Sequence, residues 1–182
     1  MDTIALTSGA SLAILPVAIE HADGLAALVC ENAGHLGEYL PAVAELGSPD
    51  AARSHLQAAI ARAAAGASFE WHLFLNDQLC GAIRLKNIDS DNRKAEIGYF
   101  LGSAFGGQGI ATLAVRAVLG YSFASLDLNR LELRCAAANT PSIRVAERLG
   151  FTLEGVLRQD EWLDGGFVDV HVFGLLRAEF AA

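Results

Sequence analysis

A chain of 182 residues, 53% hydrophobic and 19% charged, can bury a full core in one domain, and its composition excludes a disordered polymer. A net charge of −8, from 13 basic and 21 acidic residues, argues against sequence-independent nucleic-acid binding and is compatible with a basic peptide or amine drawn in by long-range attraction. Cys30, Cys80 and Cys135 show no metal-ligand spacing, so no metal is expected; their odd number and a start, Met1-Asp2-Thr3-Ile4, without a basic leader suit a cytoplasmic protein.

The first strands are expected at Ile4–Leu6 and Leu12–Leu15, around Ser8-Gly9, with Pro16 closing the second. Ala22–Asn32 carries Leu25, Leu28 and Val29 at helical spacing. A short helix is expected over His35–Leu40, stopped by Pro41. A longer alanine-rich helix begins at Asp50 and runs to about Ala65, where Gly66 ends it. The period then changes. Phe69–Leu75 and Leu79–Leu85 flank Asn76-Asp77-Gln78 and read as a hairpin. A turn at Asp89–Asn92 leads to a strand over Lys94–Leu101.

The segment from Ile110 to Leu126, whose only charge is Arg116, reads as a buried helix. The uncharged run Ile97–Val115 is long enough to span a membrane, but its five glycines, with Ser103 and Gln108, divide it into strand, turn and helix, so no membrane partner is expected. A strand follows at Leu131–Ala137, then a helix with Thr140 as N-cap, Pro141 in its first position and Gly150 at its end. Phe151–Leu157 and Phe167–Leu175 are the last strands, joined by a loop around Asp164-Gly165-Gly166. No repeat or linker divides the chain, and residues 1–182 are expected to form a single domain. Three successive strands count against a doubly wound nucleotide fold.

The chemistry centres on Phe105–Thr112, Phe-Gly-Gly-Gln-Gly-Ile-Ala-Thr. A strand, a turn with three glycines and a buried helix make an anion site: glycines admit a ligand to the backbone, and the first N–H groups of the helix have no internal partner. A ligand carrying phosphate is expected. The dinucleotide fingerprint fails because Gly107 and Gly109 are followed by Thr112, and a Walker loop fails because no Lys follows the glycines.

Gly106-Gly107-Gln108-Gly109-Ile110-Ala111 resembles the coenzyme A loop of the GNAT acetyltransferases, Gln/Arg-x-x-Gly-x-Gly/Ala, with Gly106 in place of Gln or Arg. Asn139–Phe151 resembles the second GNAT signature, Asn-x-x-(Ser/Ala) followed by Leu-Gly-Phe, and Phe151–Val170 resembles the RimJ/RimL branch, acetyltransferases of ribosomal-protein N-termini and their relatives. The resemblance is strong from Ala95 to Gly174 and weak over the first 70 residues. It implies an α/β GNAT fold: a mixed, mainly antiparallel, seven-stranded sheet flanked by helices, splayed between the strand before the loop and the strand at Leu131. It implies acetyl-CoA as cosubstrate, with pantetheine along Phe100 and Leu101 and with Gly106, Gly107, Gln108, Gly109, Ile110, Ala111 and Thr112 at the phosphates. Asn139 would bond the pantetheine arm. A homodimer is common in the branch.

The implied reaction is direct transfer, an amine attacking the acetyl thioester, which calls for a base, an oxyanion donor and an acid for the leaving thiolate. The branch implies Glu161 as base, in a loop facing the acceptor and beside Trp162, an aromatic setting that disfavours a charge. Glu96 is the rival, because other GNAT branches use a Glu at that place. Ser142 is the implied acid; where many GNATs carry Tyr this chain has Ala146. Cys135 reads as a packing residue, and His35, His72 and His171 have no Ser or Asp partner at triad spacing. Trp71 and Trp162 read as walls of a pocket or core rather than a platform for bases.

The leading function is an N-acetyltransferase acting on a protein N-terminal α-amine or a small-molecule amine. The alternative is a catalytically silent acyl-CoA-binding module on a GNAT scaffold. An α-amine, pKa ~7.8, is less costly to neutralise at pH 7 than lysine at ~10.4, by ~3.5 kcal/mol, and suits a single carboxylate.

Overall fold

The computed structural model describes residues 3–5 and 10–181. Leu6 and the expected turn at Ser8-Gly9 lie outside the described residues. The elements in order are β1 (Thr3–Ala5), β2 (Ser11–Pro16), α1 (Ala22–Glu31), α2 (Ala33–Gly37), α3 (Pro41–Ala44), α4 (Pro49–Ala64), β3 (Phe69–Leu75), β4 (Gln78–Asp89), β5 (Lys94–Leu101), α5 (Ile110–Ala124), β6 (Arg130–Ala136), α6 (Thr140–Arg148), β7 (Thr152–Leu163) and β8 (Gly166–Leu176). Two compact units result: one runs to Arg84 and resumes over Tyr99–Ile110, the other comprises Leu85–Gly98 and the chain from Ala111.

In the first unit the strand order is β1-β2-β3-β4-β5. β2 pairs antiparallel with β1 and with β3, from Leu12 opposite Leu75 to Pro16 opposite Trp71. The β3–β4 turn places Asn76 and Asp77 at φ 47° and 64°, the left-handed pair that suits a two-residue hairpin. Leu25, Leu28 and Val29 of α1 bury their expected face with Ala52 and Leu56 of α4 and Leu79 of β4. Three helix starts differ from expectation. The helix expected over His35–Leu40 is α2, Ala33–Gly37, which ends before Pro41. Pro41 instead opens α3, because a proline needs no N–H bond in a first turn. Helix α4 starts at Pro49, one residue before Asp50, because the Ser48 hydroxyl oxygen accepts from Ala51 N–H at 3.3 Å.

In the second unit the order is β4-β5-β6-β8-β7. β5 and β6 are parallel from Lys94 opposite Arg130 to Ile97 opposite Leu133, where the pairing ends. β6–β8 and β7–β8 are antiparallel, and the pairs Leu131–Leu175 and Leu133–Phe173 are buried. Among the described residues the hydrogen-bonded strands number eight, the short β1 adding an edge strand to the seven expected. Strand β7 is also longer than expected, reaching Leu163. Every residue from Thr152 to Trp162 is exposed, so no alternation of burial marks its course in the sequence. The hairpin turns at Asp164 and Gly165, φ 47° and 78°.

Candidate active site

The first unit carries the glycine loop. β5 delivers Phe100 and Leu101 to it, and Gly81 of β4 lies so close that a Cβ there would meet the Phe100 carbonyl oxygen at 2.2 Å. Gly102 N–H donates to the Cys80 carbonyl at 2.9 Å. A tight turn of helix over Ser103–Phe105 follows, closed by Phe105 N–H to Gly102 O at 2.9 Å and Gly106 N–H to Ser103 O at 3.2 Å. Gly107 and Gly109 then take φ 74° and 79°, and a Cβ built on either meets nothing within 4 Å. The space over the loop is open, and its two left-handed residues are the reason for glycine.

The N–H groups of Gly107, Gln108 and Gly109 have no partner among the described residues. Gln108 folds its Nε2 back onto the Ala104 carbonyl at 3.1 Å. Between Lys94 and Arg116 the chain has no basic side chain, so what the loop itself offers an anion is backbone dipoles and the start of α5. These features fit a pyrophosphate. Gly106, at the position of the missing Gln or Arg, is exposed and extended.

Asn32, just past the end of α1, escaped the sequence reading. Its Nδ2 donates to Leu28 O, and its Oδ1 accepts from both the N–H and the hydroxyl of Ser103, each at 2.8 Å. The only sequence signal is an Asn after a helix, which reads as an ordinary end.

The second unit holds the acid–base candidates. Both oxygens of Glu96 are engaged: Oε1 pairs with Lys86 Nζ at 2.6 Å and Oε2 accepts from Asn87 Nδ2 at 2.9 Å. Its side chain is 13% exposed. Glu161 lies on β7 opposite Val168, not in a loop, and is exposed with no partner among the described residues. The apolar setting expected from Trp162 is absent: that ring, 59% exposed, packs edge-on to Phe167 at 4.8 Å. An irregularity between Leu157 and Glu161, with Gln159 at φ 54° and its N–H on Asp169 Oδ1 at 2.9 Å, sets the local course of the strand. Bulges of this kind re-aim side chains.

Asn139 and Ser142 come together at the start of α6. Asn139, not Thr140, is the N-cap, and its Oδ1 accepts from Ser142 N–H at 3.2 Å. The capping bond occupies one acceptor position of the amide, and Asn139 Nδ2 has no partner among the described residues. Ala146 is fully buried, so a Tyr there would not fit the core. Arg148, also missed, donates from Nη1 to Thr112 Oγ1 at 3.4 Å and sets a cation beside the first turn of α5. Burial, with the Glu161 charge second, pushes the Cys135 thiol up to about 11, which leaves no thiolate for nucleophilic attack.

Two histidines of the first unit, His72 and His55, are engaged with neighbouring side chains. In the first unit His72 is fully buried, its Nδ1 3.1 Å from His21 Nδ1, and burial lowers it to about 4. Glu70, on the same strand, pairs with His55 Nε2 at 2.9 Å. Trp71 is buried and stacks on Phe69 at 6.1 Å. Among the described residues no group of three or more His, Cys, Asp or Glu could hold a metal, and no helix is long and apolar enough to cross a membrane.

Residues 11–152 match the family described as "Acetyltransferase (GNAT) domain". The chain belongs to this family, and its mixed α/β architecture is the GNAT fold. It is an acetyl-CoA-dependent N-acetyltransferase, and nothing favours the silent binding module. A Bacillus subtilis (strain 168) protein named putative ribosomal N-acetyltransferase YdaF is 37% identical over 160 residues, 87% of each chain. The ribosomal-protein-serine acetyltransferase of Escherichia coli (strain K12) is 33% identical over 163 residues, 90% of this chain and 91% of its own. A solved structure of RimL, a ribosomal alpha-N-protein acetyltransferase in complex with coenzyme A, aligns with a TM-score of 0.88 at 27% identity, over 96% of this chain and 98% of its own.

Proposed function

We propose that the chain, as a single domain over residues 1–182, acetylates a protein N-terminal α-amine with Glu161 as general base and Ser142 as general acid. The observation that carries this reading is the contrast in availability: Glu161 is exposed and unpartnered, whereas Glu96 already binds Lys86 and Asn87. Acetyl-CoA supplies an activated acyl group and a thiolate leaving group. Backbone at Phe100 and Leu101 and the loop from Gly106 to Thr112 hold it, with Asn139 offering an amide to the pantetheine arm. Glu161 takes the ammonium proton of the acceptor, directly or through a water, and Ser142 returns a proton to the departing sulfur.

The acceptor class is supported by relatives named for ribosomal proteins and by charge. No Lys or Arg precedes Arg53, while Asp2, Glu20, Asp23, Glu31, Glu38, Glu45 and Asp50 are acidic, a field that attracts a basic chain terminus. Three free cysteines support a cytoplasmic setting. Apolar side chains exposed on one hairpin, Leu153, Val156, Leu157, Trp162 and Phe167, support a homodimer; a single-chain mass in light scattering overturns that assembly. A mass-spectrometric screen of peptide N-termini against small amines tests the acceptor. Turnover of small amines alone, with no peptide acetylated, rejects it.

A further inference from the structure

Asn32 makes three bonds that helix α1 by itself does not require. A residue past a helix end ordinarily serves that helix's own open carbonyls, and Nδ2 does so by donating to Leu28 O. The Oδ1 acceptor points elsewhere. It takes both donors of Ser103, 71 positions along the chain, at 2.8 Å each. Ser103 opens the tight turn before the glycines, and its own carbonyl accepts the Gly106 N–H. The side chain of Asn32 is therefore two hydrogen bonds away from the first glycine of the loop.

The surroundings leave this contact little slack. A Cβ on Gly102 would meet Leu28 Cδ1 at 2.8 Å and Asn32 Nδ2 at 3.2 Å. Phe105, at the far end of the turn, packs against the cluster that holds Leu25, Leu28 and Val29 of α1. The turn is thus fastened to α1 at both ends, by the Asn32 amide at one and an aromatic ring at the other.

From this geometry we infer that Asn32 is a positioning residue for acetyl-CoA: it acts through Ser103 to hold the N–H groups of Gly107, Gln108 and Gly109 at the pitch that receives the pyrophosphate. A loop with no basic side chain within its own stretch, Ala95 to Val115, depends on the alignment of its dipoles, and small misplacements of such groups carry large penalties. The inference rests on the assignment of the glycine loop to the phosphates.

The test uses the full chain with acetyl-CoA and compares Asn32→Ala, Ser103→Ala, their double variant and Gly109→Val by calorimetry and steady-state kinetics. Asn32→Ala is expected to raise the acetyl-CoA Kd and KM about tenfold while kcat at saturation stays within about twofold. Ser103→Ala keeps the N–H bond to Oδ1 and is expected to cost about threefold, with the double variant no worse than Asn32→Ala, because the hydroxyl bond that Ser103→Ala removes is already lost in Asn32→Ala. An unchanged Kd in folded Asn32→Ala, beside a weakened Gly109→Val, overturns the inference and leaves the loop assignment standing. Unchanged affinity in both overturns the assignment and the inference together. Should Asn32→Ala not fold, Ser103→Ala decides, and a wild-type Kd in that variant overturns the inference.

Discussion

Glu96 and Glu161 are both strand carboxylates of the second unit, and their surroundings differ in kind. At the start of β5, Glu96 is shielded from solvent and bonded on both oxygens, to a lysine and an asparagine of β4 or its end. Near the end of β7, Glu161 stands on a strand with neither face covered. A base must receive a proton on an oxygen that a substrate can reach. Glu96 would have to release an existing partner first, whereas Glu161 would not. The difference teaches that a carboxylate's place in a family pattern says less about its readiness than what its neighbours have already claimed.

The largest effect that could break this contrast is expected from Glu161→Gln, which keeps size but cannot take a proton. Its kcat/KM at neutral pH should fall on the order of 10²-fold or more, and the loss should shrink at high pH, where free amine is abundant. Full activity in Glu161→Gln with a dead Glu96→Gln would exchange the two roles. If both stay active, the amine arrives neutral and positioning carries the rate.

Acid inactivation has to be separated from that profile. His72 is held at about 4 in the folded state by burial, below its unfolded value of ~6.5. Between these values the unfolded chain binds a proton that the folded chain refuses, so stability is full above ~6.5 and is lost as pH falls towards about 4, by ~3 kcal/mol when complete. Urea unfolding from pH 7 to 4.5 should show this slope, and His72→Phe should flatten it. An equally steep slope in a folded His72→Phe would assign the acid loss elsewhere. Rates for Glu161 variants are therefore to be compared above that window.

Ser142→Ala sharpens the acid side of the same comparison. Its kcat should drop roughly 10²-fold with little change in acetyl-CoA affinity; a loss of affinity with kcat intact would make Ser142 a binding residue only. Gly109→Val should weaken acetyl-CoA binding at least tenfold, ~1.4 kcal/mol. The open space above Gly109 means that backbone strain at φ 79°, not a clash within the chain, is the cause. The smallest effect is expected from Glu96→Gln, a few-fold in kcat/KM, since a carboxylate already engaged by Lys86 and Asn87 contributes little to the chemical step.

The sequence by itself determined the features written in short stretches of chain. Asn76-Asp77 and Asp164-Gly165 turn as their residue types require. Lys94–Leu101 is a strand to the residue. The glycines at 107 and 109 take the left-handed backbone that marks the loop, and Gly150 closes α6 at φ 82°. Each follows from steric preferences acting within a few positions. Two further helix starts are local as well: Pro41 opens α3 as a first-turn proline can, and Asn139 displaces Thr140 as cap because its Oδ1 reaches Ser142 N–H three residues on. Only the tertiary structure decided the rest. β7 outran its expected end because a strand exposed on both faces has no burial period to read. Glu96 met Lys86 through the register of β5 on its neighbour β4, and Asn32 met Ser103 across 71 residues. Such contacts depend on register and packing between elements, which no local preference encodes.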